Sequence, residues 1–151
     1  MKIIIKKYQE LSTDELYALL RLRSEVFVVE QDCVYQDIDN KDQNALHIMG
    51  WQGDELAAYT RCFGPGFYFD QPAIGRVVVQ EDYRGQGLAN AIMRVSINAL
   101  QTSYGLTDIK LSAQTYLLQF YRDLGFETVG EEYLEDGIPH MAMIRPADVA
   151  G

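Results

Sequence analysis

The residue pattern predicts an α+β fold built on a mixed, mostly antiparallel sheet. Three observations carry that reading. The segments run in the order β-α-(loop)-β-β-β-α-β-α-β-β, strands in runs with helices inserted rather than a repeated βαβ wheel. Turn residues, Gln52-Gly53-Asp54 and Glu135-Asp136-Gly137, join neighbouring strand-like runs as hairpins. The chain has 151 residues, a length that suits one domain, so residues 1–151 are expected to form a single unit.

The elements follow in order. Lys2 to Tyr8 reads as a first strand. Ser12-Thr13-Asp14-Glu15 is a capping box, in which the serine hydroxyl and the glutamate each satisfy an exposed helix amide. Leu16, Leu19, Leu20 and Phe27 recur at helical spacing, so a helix is expected from Thr13 toward Val26. The polar stretch Glu30 to Asn44 reads as a long functional loop or a broken helix. Ala45 to Trp51 and Glu55 to Phe63 form a hairpin that ends at Gly64-Pro65-Gly66. Ala73 to Val79 is a dense apolar strand. Leu88 to Leu100 is a helix with Leu88, Ile92, Val95 and Ala99 on one face. Asp108 to Ser112 is a short strand, and Ala113 to Leu124 a helix stopped by Gly125. Phe126 to Tyr133 and Ile138 to Ile144 close the chain as a hairpin.

Composition narrows the function. Hydrophobic residues make up 48% and charged residues 23%, as in ordinary globular proteins. Lys and Arg number 13 against 22 Asp and Glu, a net charge of −9, and such a surface repels a polyanion, which disfavours nucleic acid as a partner. The apolar run Ile3-Ile4-Ile5 is far shorter than a signal-peptide core of ~7–15 residues, and no stretch approaches the ~20 apolar residues of a membrane span. Cys33 and Cys62 form no CxxC pair, and His47 and His140 form no ligand pair at helical spacing, so no metal is expected. A cytoplasmic location with free thiols is the expectation.

The strongest chemical signal is the junction after the Val77-Val78-Val79 run. Arg84-Gly85-Gln86-Gly87-Leu88-Ala89 opens a helix, where unpaired N–H groups and the positive end of the dipole favour an anion. Glycines there allow a phosphate to approach the backbone. The spacing differs from the dinucleotide GxGxxG and lacks the Lys-Ser/Thr of a P-loop.

Arg-x-x-Gly-x-Ala after a valine-rich strand resembles the Gcn5-related N-acetyltransferase (GNAT) family. The run Leu117-Leu118-Gln119-Phe120-Tyr121-Arg122-Asp123-Leu124-Gly125-Phe126 is similar to that family's later helix and following strand. Three more segments, Phe27 to Asp37, Ile74 to Val79 and Gly130 to His140, resemble its ElaA-like branch. The resemblance implies helices on both faces of the sheet and a splayed central strand pair. It implies acetyl-CoA as acyl donor and the primary amine of a small molecule or peptide as acceptor, joined by direct attack in a ternary complex. Backbone groups of Val77, Val78 and Val79 would pair with the pantetheine arm, and the amides of Arg84, Gly85, Gln86, Gly87, Leu88 and Ala89 would hold the diphosphate. Gln114 stands where many relatives have an asparagine; it keeps the amide chemistry, one methylene longer, and with Tyr121 is expected to contact the CoA donor. Tyr121 matches the tyrosine that serves as general acid toward the departing sulfur.

The strand Ala73–Val79 offers Arg76 and no acid, so a base must come from elsewhere: Glu30, Asp37, Asp39, His47, His140 or water. His47, between Leu46 and Ile48, is expected to point away from its apolar neighbours. His140, after Pro139 near a hairpin end, suits a structural role, and Cys33 reads as a bystander thiol. The acidic loop with Glu30, Asp37 and Asp39 suggests a cationic acceptor. Two rivals remain: a non-catalytic CoA-binding or sensing module on the same fold, and an acyl-homoserine-lactone synthase, for which the chain is short. Edge strands leave a homodimer open.

Overall fold

The computed structural model describes residues 1–147. Seven strands form one sheet: β1 (Lys2–Lys7), β2 (Leu46–Gln52), β3 (Glu55–Phe63), β4 (Ala73–Val79), β5 (Ile109–Gln114), β6 (Glu127–Glu135) and β7 (Ile138–Arg145). Their order across the sheet is β1-β2-β3-β4-β5-β7-β6. All neighbours are antiparallel except β4 and β5, whose parallel pairing is limited to Ala73 opposite Lys110. Lys110 N–H donates to the Pro72 carbonyl at 2.9 Å, and from that point the two strands diverge. The sheet is therefore split along its middle, as the family resemblance implied.

The helices cover both faces. Helix α1 (Thr13–Arg23) starts at the expected capping box: Ser12 Oγ accepts from Glu15 N–H at 3.1 Å, and Glu15 Oε1 accepts from Ser12 N–H at 2.8 Å. Such a cap contributes about 1 kcal/mol. The helix does not stop near Val26. It widens into a π-helical stretch, Ser24–Glu30, so helical backbone reaches the residue where the loop was expected to begin. Leu19, Leu22 and Val26 seat against Met49, Tyr59 and Val78 on one face of the sheet; each fully buried side chain of this kind contributes about 1.5–3 kcal/mol.

Helix α2 (Leu88–Tyr104) lies on the other face and runs four residues past the expected end at Leu100. Its buried stripe holds Leu88, Ile92, Met93, Ile97 and Leu100, whereas Val95 is only half-buried at its flank. Ser96 lies inside the stripe because its hydroxyl is satisfied, by the Ile92 carbonyl at 2.8 Å and by Thr60 Oγ1 at 2.6 Å.

The segment after β5 corrects the expected boundaries. Ala113 and Gln114 still belong to the strand, opposite Met141 and His140. A single 3₁₀ turn, Thr115–Leu117, precedes a short helix α3 (Leu118–Arg122). The physical reason is alternation: Ile109, Leu111 and Ala113 bury into the α2 side of the sheet while Lys110, Ser112 and Gln114 turn to the α1 side, a period-two pattern that carries through Gln114. Among the described residues, no helix is long and apolar enough to cross a membrane.

Candidate active site

A cleft opens where β4 and β5 part, and it passes from one face of the sheet to the other. On the α2 side its walls include Leu111, Leu117 and Tyr121; on the α1 side they include Phe27, Tyr35, Arg76, Gln114 and His140. Of the residues singled out beforehand, Val77, Gln114, Tyr121, His140 and Cys33 meet at this cleft.

Strand β4 is bent at the cleft by a bulge. Tyr59 opposes Val78 and Arg61 opposes Gly75, so Thr60 alone faces Arg76 and Val77. Arg76 takes a left-handed φ of +49°, a conformation that disfavours a side chain. It holds because its guanidinium is tied down: Nη2 donates to the Asp37 carbonyl at 3.2 Å, and Nε stands 2.8 Å from Asp37 Oδ1, outside hydrogen-bond geometry. Beyond Ala73 the β5-facing edge of β4 has no strand partner among the described residues. Arg84 Nε donates to the Val79 carbonyl at 3.0 Å, so one acceptor of the valine run is already engaged.

The turn into α2 has the form an anion requires. Gly85 and Gly87 adopt φ of +77° and +78°, Gly87 provides no side-chain cap, and the loop from Arg84 to Gly87 is exposed. A Cβ placed at either glycine would meet nothing within 4 Å. Left-handed residues in such a turn direct N–H groups into one concavity. The amides of Leu88 and Ala89, first in the helix, add orphan donors. Room and donors together fit a diphosphate.

Tyr121 is 5% exposed, with its ring edge-on to Phe120 and Phe126. Burial pushes its pKa up, so the phenol keeps its proton throughout the neutral range. Gln114 Nε2 reaches Gln31 Oε1 at 3.4 Å, a long contact across the α1 side of the cleft.

The acidic residues proposed as bases are placed differently from the expectation. Asp37 and Asp42 are buried and Asp39 half-buried, in a cluster with Arg23, Arg61 and Arg76. Arg23 Nε donates to Asp37 Oδ2 at 2.9 Å, and its Nη1 to Asp42 Oδ1 at 2.7 Å. Arg61 grips Asp39 with two bonds of 2.8 Å each and also reaches Asp42 at 3.0 Å. Burial alone would push the Asp39 carboxyl up, but hydrogen bonds and charge from Arg61 outweigh it and hold it down at about 2. Three arginines against three aspartates leave the cluster without net charge. Glu30 is held as well, in a two-bond pair with Arg84 at 2.7 and 3.0 Å. The three carboxylates that suggested a cationic acceptor, Glu30, Asp37 and Asp39, are therefore each engaged with an arginine.

His47 is fully buried. Its Nε2 lies 2.9 Å from the Asp42 carbonyl, which only accepts, so that nitrogen carries the proton and Nδ1 accepts from Tyr59 Oη at 2.7 Å. Burial lowers its pKa and keeps the ring neutral. Cys33 is half-exposed, with its thiol 3.4 Å from the Asp136 carbonyl. Among the described residues, no group of His, Cys, Asp and Glu is gathered to hold a metal ion.

Sequence reasoning missed Arg23 and Arg61. A signal existed for Arg61: a lone charge between Thr60 and Cys62 in an otherwise apolar strand demands a buried partner.

Comparison with known proteins agrees with this geometry. The family model described as "Acetyltransferase (GNAT) domain" matches residues 7–145. Protein ElaA of Escherichia coli strain K12 is 44% identical over 91% of this chain and 92% of its own; its crystal structure superposes with a TM-score of 0.89 over 96% of this chain and 99% of the other, at 41% identity. A crystal structure described as an acyl-CoA N-acyltransferase from Pseudomonas aeruginosa gives a TM-score of 0.91 at 43% identity, covering 95% and 98% of the two chains. The CoA-dependent acyl-homoserine lactone synthase BjaI, at 18% identity and a TM-score of 0.76 over 96% of this chain and 82% of the other, shares the fold alone. The split sheet, the glycine turn into α2 and these matches over nearly the whole described length place the chain in the GNAT family of acyltransferases, beside ElaA.

Proposed function

We propose that residues 1–151 act as one N-acetyltransferase domain, transferring an acetyl group from acetyl-CoA to the primary amine of a small molecule or peptide by direct attack in a ternary complex. The observation that carries this reading is the cleft through the sheet, with an open β4 edge and an anion turn on one side and a separate polar entrance on the other. Two substrates approaching from opposite faces would meet between β4 and β5.

The chain's own residues divide the work. Backbone groups of Val77, Val78 and Val79 pair with the amides of the pantetheine arm as an added strand would, with the Val79 carbonyl already held by Arg84. The amides from Arg84 through Gly85, Gln86, Gly87 and Leu88 to Ala89 hold the diphosphate. A backbone N–H of the Val77–Val79 strand steadies the carbonyl oxygen as charge develops on it. Tyr121 supplies a proton to the departing sulfur. Gln114 contacts the bound donor through its side-chain amide. Bound acetyl-CoA supplies an activated acyl carbon.

The carboxylates that suggested a cationic acceptor are bound to arginines, so this reading carries no preference for acceptor charge. The strands at the two ends of the sheet, β1 and β6, are where a second copy would pair.

Calorimetry with CoA and thiol release from acetyl-CoA against a panel of primary amines test this reading. We expect one CoA site per chain and amine-dependent release that Tyr121→Phe reduces by roughly 10²–10⁴-fold, the range for a positioned acid or base. Binding without release by any amine would favour the sensing module. No binding would overturn both.

A further inference from the structure

The cleft leaves one basic group in place after its rivals are engaged. Glu30, Asp37 and Asp39 hold arginines, and His47 is sealed in the core. His140 sits on β7 directly opposite Gln114, in a register that turns both side chains to the α1 side of the sheet, where they line the cleft. Tyr121 lines the same cleft from the α2 side. An acid on the face where the thioester would enter and a base on the face where the amine would enter is the division an acyl transfer needs.

The surroundings of the His140 ring support this role. Its Nδ1 lies 2.7 Å from the Ile138 carbonyl, which can only accept, so Nδ1 carries a proton. That leaves Nε2 as the accepting nitrogen, and Glu135 Oε2 stands 3.3 Å from it. That contact is an ion-pair distance outside hydrogen-bond geometry, so a proton arriving on Nε2 gains a nearby negative charge rather than a bond. Tyr133 lies alongside the ring at 6.2 Å between centroids, with its hydroxyl hydrogen-bonded to Ser112.

We propose that His140 Nε2 accepts the proton of the attacking amine, with the Ile138 carbonyl orienting the ring through Nδ1 and Glu135 balancing its charge. The inference rests on the acyltransferase reading above. The amine lone pair forms the bond to the thioester carbon. The carbon–sulfur bond breaks with its electrons on sulfur, which takes the proton of Tyr121. The amine proton moves to His140 Nε2 and afterwards replaces the one Tyr121 gave up, so both residues end as they began. The other titratable and charged groups around this part of the cleft are Tyr133 of β6, Cys33 and Tyr35 of the loop after α1, Arg76 of β4, Asp136 of the β6–β7 turn and Tyr121 of α3.

Three measurements on the full chain test it. Calorimetry with CoA should give the same affinity for the native protein, His140→Gln and Glu135→Gln; loss of binding in the native protein itself would sink the acyltransferase reading rather than this one. Amine-dependent thiol release across pH ~5.5–8, the range where imidazoles titrate, should show a rate that rises with pH. His140→Gln should lose that rise and roughly 10²–10⁴-fold in kcat/KM, and Glu135→Gln should lose less and keep the rise. A His140→Gln variant that binds CoA and keeps both rate and rise overturns the assignment. Nitrogen-15 spectra of the two histidines need no turnover: adding acetyl-CoA should perturb His140 and leave His47 unmoved, and an unresponsive His140 also overturns it.

Discussion

Two groups of charged residues sit within one fold and are built on opposite plans. The cluster of Arg23, Arg61 and Arg76 with Asp37, Asp39 and Asp42 is mostly buried and mutually paired. In the His140–Glu135 pair only the glutamate is open, at 44% exposed against 8% for the histidine side chain 3.3 Å away. A fully paired cluster has its protons and charges committed, and it serves to fix the loop between α1 and β2 against β3 and the β4 bulge. A pair with a spare nitrogen on a cleft is free to exchange a proton. The difference teaches that acidity in a loop is no guide to its chemistry until the partners of each carboxylate are known.

Breaking the closed cluster should have the largest effect on stability. Asp42 receives bonds from both Arg23 and Arg61, and those two are 0% and 1% exposed. Asp42→Ala leaves buried Arg23 and Arg61 with one carboxylate partner each, Asp37 and Asp39, and gives the cluster an uncompensated positive charge, which costs roughly 3–5 kcal/mol. At this chain length that is a fall in Tm of about 6–20 °C, measurable by calorimetric melting. His140→Ala removes a mostly buried ring but strands no cation, so it should cost less, which is the sharp form of the contrast.

Acid should expose the same cluster more gradually. The folded Asp39 carboxyl titrates near 2, below its ordinary value of 3.8. A carboxyl with a depressed folded pKa contributes stability that is fully present above the unfolded value and lost as pH falls through the folded one. About 2 kcal/mol should therefore disappear between roughly pH 4 and pH 2. His47 adds a shallower loss at higher pH. Its pKa is lowered by burial, so the unfolded chain takes up a proton below about 6.5 that the folded chain refuses. Urea melts at a series of pH values would show both, and the acid loss should shrink in Asp39→Asn, the remainder coming from Asp42 and Glu15, whose carboxyls are also held down by their partners.

These comparisons also mark what the sequence could disclose. Local signals were legible: the Ser12–Glu15 box caps α1 as its spacing requires, and the Glu135-Asp136-Gly137 turn closes the last hairpin. The glycine turn into α2 was legible for the same reason, since a left-handed backbone selects glycine. The ion cluster was not, because its partners lie 14 to 39 residues apart and only the folded sheet brings them together. The π-helical stretch Ser24–Glu30 escaped too: the apolar Val26-Phe27-Val28-Val29 run fits no single periodicity. The place of His140 on the cleft was not legible either, because its position after Pro139 says nothing of Gln114 across the strand pair.

The glycine turn offers a third break, intermediate in size. Gly87→Ala keeps open space around the new Cβ but forces a side chain into φ of +78°. That should cost about 1–2 kcal/mol of stability, and, by shifting the concavity of amides, weaken CoA binding. Gly53→Ala, at φ of +60° in the β2–β3 turn and likewise surrounded by open space, is the control. It should carry a similar stability cost with CoA affinity unchanged, so calorimetry of the pair separates strain from loss of the anion site.

The smallest expected effect tests the surface ion pair at the edge of that site. Glu30 and Arg84 are joined by two bonds, but both are well exposed, 35% and 42%. Exposed pairs contribute about 0–1 kcal/mol, so Glu30→Gln should leave Tm nearly unchanged. Its influence on binding has the opposite sign. Glu30 holds a negative charge beside the turn proposed to receive a diphosphate, and it occupies the guanidinium of Arg84. Removing that charge should tighten CoA binding by about two- to threefold, an amount set by roughly 0.5 kcal/mol of exposed electrostatics. The gain should shrink as salt shortens the reach of the charge, from a Debye length of about 10 Å at 0.1 M to about 3 Å at 1 M. A Glu30→Gln variant that binds CoA more weakly at low salt would mean that the carboxylate positions Arg84 for the ligand rather than competing with it.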